Sequence, residues 1–141
     1  MTSMTGHCLC GAVRFTAEDV DTSFHTCHCG MCRRWAGGPM FAATVGNVQF
    51  DGEENINVFD SSDWGQRGFC RRCGSKLFYR LKATGAHYLA VGTFDDADAF
   101  RLAGEIYVDH QPAGYRFAGD LHRMTEEQVL AQFMSPGTEP G

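Results

Sequence analysis

The seven cysteines are the residues of this chain best suited to chemistry, and all of them lie in three short clusters. The clusters are Cys8 with Cys10, Cys27 with Cys29 and Cys32, and Cys70 with Cys73. Thiolates are soft ligands, and close spacing lets a short stretch of backbone offer several of them to one metal ion. We call Cys27, Cys29 and Cys32 the trio, and the other four cysteines the tetrad. The pattern predicts two metal centres, one on each set.

The tetrad has the composition of a closed zinc site. Structural zinc takes four nitrogen or sulfur ligands in a tetrahedron and leaves no open position. Two cysteine pairs from distant parts of the chain satisfy this requirement and would tie the first strand to a central hairpin. The alternatives are four independent buried thiols, or a redox-active Cys-x-x-Cys motif beginning at Cys70. A thioredoxin-type motif precedes a helix in a βαβ unit, a pattern that the sequence around Cys70 lacks.

The trio is one ligand short of a closed site. Catalytic zinc typically has three protein ligands and an open position for water or substrate. Such a centre would attract a small thiol, lower its pKa and hold it as the thiolate. As one alternative, His25 or His28 completes a second structural zinc site, because imidazole is the commonest other zinc ligand. As another, the three cysteines hold a [4Fe–4S] cluster.

Four arginines flank the cysteine clusters, at positions 33, 34, 71 and 72. Their guanidinium groups could offset the negative charge of thiolate ligands or bind the carboxylates of an anionic substrate. They could equally be exposed side chains on turns. Arg33 and Arg34 directly follow the trio, so we expect these two to bind substrate.

Composition bounds the class of protein. With 141 residues, 43% of them hydrophobic, the chain is long enough for one domain with a real core. Its formal net charge of −5 argues against a general nucleic-acid binder. No window approaches the ~20 apolar residues of a membrane span, and the N-terminal residues do not resemble a secretory signal. We therefore expect a cytoplasmic protein with reduced thiols and with neither a nucleic-acid nor a membrane partner.

The element pattern indicates a mainly β protein. The 17 glycines and four prolines favour tight turns and short strands. Alternation around Val13 and Phe15 predicts the first strand; if it begins by Cys8, then Cys8 and Cys10 point to one face. Further strands are expected at 24–27, 40–45, 47–52, 55–60, 87–94 and 105–110, and a helical turn at 33–36.

Two local signals are more specific. The Cys70–Gly74 stretch predicts a zinc knuckle at the tip of a hairpin, because Gly74 tolerates the positive φ of a tight turn. The Thr125–Gln128 stretch resembles a capping box, and Val129, Leu130 and Phe133 continue a helical stripe that we expect to end at 135–137. The expected organisation is a zinc-binding β domain over 5–118, followed by a helix and tail over 119–141.

These motifs resemble those of the glutathione-dependent formaldehyde-activating enzyme family, also called the Gfa-like or CENP-V/GFA domain. The segments that carry the resemblance are Cys8-x-Cys10-Gly11-x-Val13-x-Phe15, Cys27-His28-Cys29-x-x-Cys32-Arg33-Arg34 and Phe69-Cys70-x-x-Cys73-Gly74-Ser75. The resemblance implies an Mss4-like fold of several small antiparallel sheets held by zinc, with a short C-terminal helix. It also implies two zinc ions, a structural one on Cys8, Cys10, Cys70 and Cys73 and a labile or catalytic one on Cys27, Cys29 and Cys32.

The implied activity is the addition of glutathione to formaldehyde to give S-hydroxymethylglutathione, which is a carbon–sulfur lyase reaction when written backwards. Members often carry a Lys-Pro-Pro-Trp-like stretch after the last strand, whereas this chain has no tryptophan between His110 and Tyr115. That departure could change the aldehyde or the thiol. Our first hypothesis is a zinc-dependent lyase with the trio as its catalytic residues; the second is a non-catalytic zinc module that binds a small thiol or a protein partner.

Overall fold

The computed structural model describes residues 3–133. Within them, eleven β-strands and two short α-helices are joined by turns and single-turn 3₁₀ segments. The expectation of a mainly β protein with several sheets and a short C-terminal helix is confirmed. Neither helix in this part of the chain has the length and apolarity that a membrane crossing requires.

The smaller sheet contains three antiparallel strands in the order β1-β2-β5. These strands are β1 (Ser3–His7), β2 (Arg14–Glu18) and β5 (Asn47–Asp51). β2 is central, and its burial alternates, with Phe15 and Ala17 buried and their neighbours exposed. One face of the smaller sheet therefore packs on the core.

The larger sheet contains eight strands in the order β11-β10-β3-β4-β9-β8-β7-β6. They are β3 (Ser23–Cys27), β4 (Met40–Thr44), β6 (Ile56–Asp60), β7 (Gly65–Cys70), β8 (Lys76–Leu81), β9 (His87–Ala90), β10 (Arg101–Ile106) and β11 (His122–Met124). β10 runs parallel to both of its neighbours, β3 and β11. The sheet is thus larger than expected and mixed, since short-range alternation carries no information about the direction of a distant partner strand.

Two helices flank this framework. α1 (Gly30–Ala36) follows β3 directly and ends at Gly37, whose left-handed conformation (φ 82°) lets its N–H donate to the Arg33 carbonyl. α2 (Glu126–Phe133) begins with the predicted capping box. The Gln128 N–H donates to Thr125 Oγ1 at 3.2 Å, and the Thr125 N–H donates to Gln128 Oε1 at 2.8 Å.

The core has two parts. The first lies between the sheets and contains a chain of aromatic rings, in which Phe15 packs edge-on against Phe94 with ring centroids 5.1 Å apart. Two cysteines of the tetrad, Cys8 and Cys70, belong to it. The second part contains the trio together with Met40, Tyr79, Tyr107, Met124 and Val129. Each cysteine set therefore lies against its own apolar cluster.

Two expected strands are shorter or displaced. The strand predicted over 87–94 ends at Ala90 and passes into a 3₁₀ turn. The strand predicted over 105–110 begins earlier, at Arg101, and ends at Ile106, because Tyr107 adopts a left-handed conformation (φ 58°) that is incompatible with a strand. β11 lies within the C-terminal segment proposed over 119–141 and pairs with β10. The predicted helix end at 135–137 lies outside the described residues.

Candidate functional site

Two turns bring the tetrad together. The loop between β1 and β2 carries Cys8 and Cys10, whereas Cys70 ends β7 and Cys73 lies in the turn that follows it. All four Sγ atoms lie within 4.8 Å of one another. The Cys10 Sγ lies 3.6 Å from that of Cys8 and 3.8 Å from that of Cys70. Four thiols in one small volume form a donor set that fits a closed zinc site.

Cys8 and Cys10 reach this position by a turn, because β1 ends at His7 and β2 begins only at Arg14, so the condition of a strand that begins by Cys8 is not met. The Gly11 N–H donates to the Cys8 carbonyl at 3.1 Å, and Gly11 has a φ of 79°. The Val13 N–H donates to the Cys8 Sγ at 3.4 Å, an interaction that favours the thiolate. Glycine is needed here because the turn requires a positive φ.

The turn after β7 has the geometry expected of a knuckle. The Gly74 N–H donates to the Cys70 carbonyl at 2.8 Å, and Gly74 has a φ of 77°. The Ser75 hydroxyl lies 3.2 Å from the Cys73 Sγ, and this hydrogen bond is the largest of the causes that lower the pKa of Cys73 to about 5. Cys73 is therefore disposed to be a thiolate, the form that binds metal.

The trio lies at the junction of β3 and α1. Cys27 is the last residue of β3, Cys29 is the N-cap of α1, and Cys32 lies in the first turn of that helix. The three Sγ atoms lie within 4.8 Å of one another. The Cys32 N–H donates to the Cys29 Sγ at 3.3 Å, so one thiol serves as the helix cap. A strand end followed at once by a helix thus collects three thiols on one side.

The three thiols do not have equal acidity. Hydrogen bonds from the Cys27 and Cys32 thiols, together with backbone N–H groups of the helix start, lower the pKa of Cys29 to about 2. The pKa of Cys27, in contrast, is raised, and the largest cause is the hydrogen bond between the Cys27 and Cys29 thiols. Cys29 is therefore the thiol of the trio that ionises first, and the trio presents a thiolate to an incoming metal ion.

Neither histidine proposed as a fourth ligand joins the trio. Within residues 3–133, the group of possible ligand atoms around the trio contains its three sulfurs and no imidazole nitrogen. His25 is exposed on β3, whereas His28 is buried and has both ring nitrogens engaged. Its Nε2 lies 2.8 Å from Glu105 Oε1, and its Nδ1 lies 2.8 Å from the Tyr115 hydroxyl. The alternative of a closed three-cysteine, one-histidine site is not supported.

A residue that sequence reasoning missed lies against the trio. Arg67, on β7, is 1% exposed, and both of its terminal nitrogens lie 3.7 Å from the Cys32 Sγ. Its guanidinium carbon lies 5.3 Å from the ring centroid of Trp35 and 4.9 Å from that of Tyr79. The sequence does hold one indication that Arg67 is buried. Arg67 lies two residues after Gly65 on β7, the strand that leads into the knuckle, so both residues share one face, and that face is buried.

The arginines that the sequence singled out are more exposed. Arg34 lies on the surface of α1, where its Nη1 donates to the Gly30 carbonyl at 3.4 Å, and Arg33 is half-buried. Arg71 and Arg72 are exposed, and Arg71 Nε donates to the side chain of Asn55. Among residues 3–133, Arg67 is the arginine with a hydrogen bond to a sulfur of the trio.

Two buried tyrosines, Tyr79 and Tyr107, belong to the apolar cluster of the trio. Burial is the largest cause that raises the pKa of Tyr79, and it likewise raises the pKa of Tyr107 to about 12. Both hydroxyls are therefore protonated at neutral pH and cannot act there as ready general bases. The Tyr79 hydroxyl is buried without a hydrogen-bond partner in the described part of the chain.

The stretch that departs from the Lys-Pro-Pro-Trp-like pattern packs over His28. Tyr115 and Phe117 place their ring centroids 5.7 and 6.1 Å from that of the imidazole. Tyr115 itself is half-buried. This stretch, which has no tryptophan, thus contributes a tyrosine whose hydroxyl is hydrogen-bonded to a buried histidine.

The cysteine geometry agrees with a comparison against known families. The sequence model of the glutathione-dependent formaldehyde-activating enzyme family matches residues 3–110, which include both cysteine sets. The chain belongs to this family.

Individual relatives agree with the assignment. An uncharacterized lyase of Schizosaccharomyces pombe is 26% identical over 132 residues, which cover 92% of this chain and 96% of the relative. A Halomonas elongata protein, named provisionally as a glutathione-dependent formaldehyde-activating enzyme, is 32% identical over 85 residues. That match covers 53% of this chain and 54% of the relative. The family and these names support a lyase-like function related to glutathione.

A solved structure shares the fold. The crystal structure of a Rhodobacter sphaeroides protein matches with a TM-score of 0.56 at 24% sequence identity. The match covers 70% of this chain and 97% of that protein. At this level of identity the likeness concerns the arrangement of the strands alone.

Proposed function

We propose that this protein is a zinc-dependent carbon–sulfur lyase that acts on the adduct of a small thiol and a small aldehyde, of the S-hydroxymethylglutathione type. The observation that carries the proposal is the trio, whose three sulfurs lie within 4.8 Å of one another with no imidazole among them in the described residues. A set of three ligands leaves one position for a substrate, whereas the tetrad forms a complete set of four. Family membership supports the proposed reaction class.

The donor atoms of both sets fit zinc. Cysteine thiolates are ligands of choice for this ion, and the lowered pKa values of Cys29 and Cys73 favour the thiolate form. Zinc bound by the trio would lower the pKa of a substrate thiol and hold it as a thiolate. Zinc bound by the tetrad would be structural, because it would join the first hairpin loop to the knuckle after β7.

The chain's own residues orient the reaction. The trio fixes where the substrate sulfur lies, and the N–H groups at the start of α1 stabilise the Cys29 thiolate. Arg33 and Arg34 follow on the same helix, and Arg34 is exposed enough to reach the carboxylates of glutathione. In the lyase direction the carbon–sulfur bond breaks, the thiolate leaves with the electron pair, and the hydroxyl group gives its proton to solvent water as its oxygen forms the aldehyde carbonyl.

One observation favours a second candidate, a non-catalytic module that binds a small thiol. The histidine between Cys27 and Cys29 in the chain is His28, and both of its ring nitrogens are occupied by hydrogen bonds. Tyr79 and Tyr107 are held in the protonated form. An acid–base group for the proton of the adduct is thus not evident within residues 3–133, and thiols add to formaldehyde without a catalyst.

Steady-state turnover separates the two functions. Zinc-loaded protein is mixed with glutathione and formaldehyde, and the rate is compared with the uncatalysed rate at the same concentrations. The lyase should add a rate proportional to protein concentration, and Cys29→Ser should abolish that rate while the melting temperature falls only slightly. If glutathione binds but the rate stays at the uncatalysed value, the protein is a thiol-binding module.

We propose glutathione and formaldehyde as the substrates of this protein, and the cytoplasm as its location.

A further inference from the structure

Arg67 is a buried cation without a carboxylate partner. Its side chain is 1% exposed, and no Asp or Glu oxygen of the described residues lies within 4.0 Å of its guanidinium group. Its Nε atom has no hydrogen-bond partner there either. Removing a cation from water costs much free energy unless a nearby negative charge or several hydrogen bonds compensate for it. The fold must therefore supply that compensation from another group.

The contacts of Arg67 identify the compensating group. Two aromatic rings, of Trp35 and Tyr79, face the guanidinium group and give partial compensation through cation–π interaction. The Met40 Sδ lies 3.7 Å from Nη1, but a thioether is a weak and neutral acceptor. The Cys32 Sγ lies 3.7 Å from both Nη1 and Nη2, and among these contacts it is the atom that can carry a full negative charge.

The position of Arg67 is rigidly defined by the neighbouring strands. Tyr79 lies directly opposite Arg67 in the β7–β8 register. The side chain of Tyr79 occupies the space above Gly65, where an added Cβ would lie 2.1 Å from its hydroxyl oxygen. Phe78 occupies the space above Gly68 in the same way, with a ring carbon 2.3 Å from such a Cβ. Because Gly65 and Gly68 have no side chain, the rings of Tyr79 and Phe78 can pack directly on β7 and hold Arg67 in position.

We infer that Arg67 is the fixed counter-charge of the trio and makes this centre prefer an anionic thiolate over a neutral molecule as its fourth ligand. The inference rests on the proposed function, because it assumes that a divalent metal ion binds to the trio. Three thiolates and one such ion carry a net charge of about −1, and a fourth thiolate would raise it to about −2. With Arg67 in contact, the fourth thiolate leaves about −1, whereas a neutral ligand gains nothing from the arginine.

Arg67 suits this role better than the arginines that follow the trio. Arg34 is exposed, and water and salt screen a charge at the surface strongly. Arg67 is enclosed by protein, where the interaction between charges is screened much less. Its two terminal nitrogens also contact one sulfur together, so its positive charge lies directly against the trio. Arg34 is the candidate for contacting the remote carboxylates of a substrate, while Arg67 acts on the trio through the Cys32 sulfur.

Ligand binding to cobalt-loaded protein tests the role of Arg67. Mild chelation empties the trio, Co²⁺ is added, and the absorption of the cobalt centre is followed during titration with 2-mercaptoethanol or, separately, with imidazole. The first probe binds as a thiolate and the second as a neutral molecule. Arg67→Met and Arg67→Gln remove the charge, Arg67→Lys keeps it, and Arg101→Met removes an exposed charge at the far end of β10.

The expected result is a selective loss. Arg67→Met and Arg67→Gln should bind 2-mercaptoethanol on the order of ten-fold or more weakly, with imidazole affinity changed by less than about three-fold. Arg67→Lys and Arg101→Met should keep the preference of the wild type for the thiol. An equal loss for both probes would show a purely structural role and overturn the inference, as would a wild-type centre that binds no thiol. If the neutral variants do not fold, loss of the preference in Arg67→Lys overturns it.

This experiment is independent of turnover. A wild-type protein that binds thiol through Arg67 but does not exceed the uncatalysed rate refutes the lyase and keeps the role of Arg67. A protein that turns over the adduct, but whose neutral variants retain the same preference between the two probes, refutes the role of Arg67 and keeps the lyase.

Discussion

His28 Nε2 lies 2.8 Å from Glu105 Oε1, and both side chains are about 1% exposed. A carboxylate can only accept, so the Nε2–H of His28 donates to Glu105, and the Nδ1 of His28 lies 2.8 Å from the Tyr115 hydroxyl. The second carboxylate oxygen of Glu105 accepts from Arg123 Nε at 2.8 Å. Since His28 stands between two cysteines of the trio, this network anchors the β3–α1 junction to β10 and β11.

Removing the carboxylate should destabilise the fold. Glu105→Ala leaves the buried His28 N–H without an acceptor and Arg123 without its partner, and we expect it to lower the free energy of unfolding by about 3 kcal/mol or more. Arg123→Ala should cost less, because the Arg123 side chain is 44% exposed and can be hydrated. Urea unfolding of the metal-loaded proteins measures both. A Glu105→Ala protein within about 0.5 kcal/mol of the wild type would contradict this role.

The features that the sequence predicted correctly are local. The capping box of α2 needs only Thr125 and Gln128, three residues apart, and the helical turn expected over 33–36 forms the second half of α1. The grouping of the cysteines into two sets could also be predicted from the sequence, because each short segment supplies at least two thiols by itself. These features depend on contacts between residues that are close in the sequence, so the spacing of those residues along the chain is enough to predict them.

The features that the sequence did not predict join distant segments. Arg67 contacts a cysteine 35 positions away, and Glu105 contacts a histidine 77 positions away. Alternation indicates which face of a strand is buried, but it does not identify what lies opposite. The end of β10 was missed for another reason: a left-handed tyrosine breaks the strand at Tyr107, and no glycine or asparagine marks the position.

The tetrad should control folding. We expect Cys73→Ser to lower the melting temperature by about 10 °C or more, or to prevent soluble expression, because binding of a structural metal is itself folding free energy. Cys29→Ser is the matched control, since it changes a cysteine of the other set and should leave the melting temperature much closer to that of the wild type. A folded Cys73→Ser protein with an unchanged melting temperature would refute a structural zinc on the tetrad.

The two centres should release metal in a defined order. Protein prepared in zinc-replete medium should contain up to two zinc ions per chain. Mild chelation should remove the zinc ion of the trio first, because three ligands with an open position bind less tightly than four. Elemental analysis after timed chelation measures this order. Cys29→Ser protein should retain the slowly released ion and lack the other. Iron and sulfide in the purified protein, or a single ion that resists chelation, would contradict the scheme.

His87 should give the fold a dependence on pH that is independent of either cysteine set. Its ring packs edge-on against Phe78, with centroids 4.8 Å apart, and lies 6.0 Å from the ring of Phe50. Burial among these rings, with a smaller contribution from Arg80, lowers the pKa of His87 below its usual value of 6.5. The unfolded chain therefore binds a proton at a higher pH than the folded protein does.

The sign of the effect follows from that difference. Above pH 6.5 the imidazole is neutral in both states, and the packing of His87 contributes fully to stability. As the pH falls below 6.5 the unfolded state takes up the proton first, so the free energy of unfolding decreases until the folded-state pKa is passed. Urea unfolding between pH 5 and pH 8 measures the decrease. His87→Phe keeps an aromatic ring in the cluster and should flatten this part of the profile, whereas His122→Gln, at an exposed position on β11, should leave it unchanged. An unaltered profile in His87→Phe would assign the pH dependence to another group.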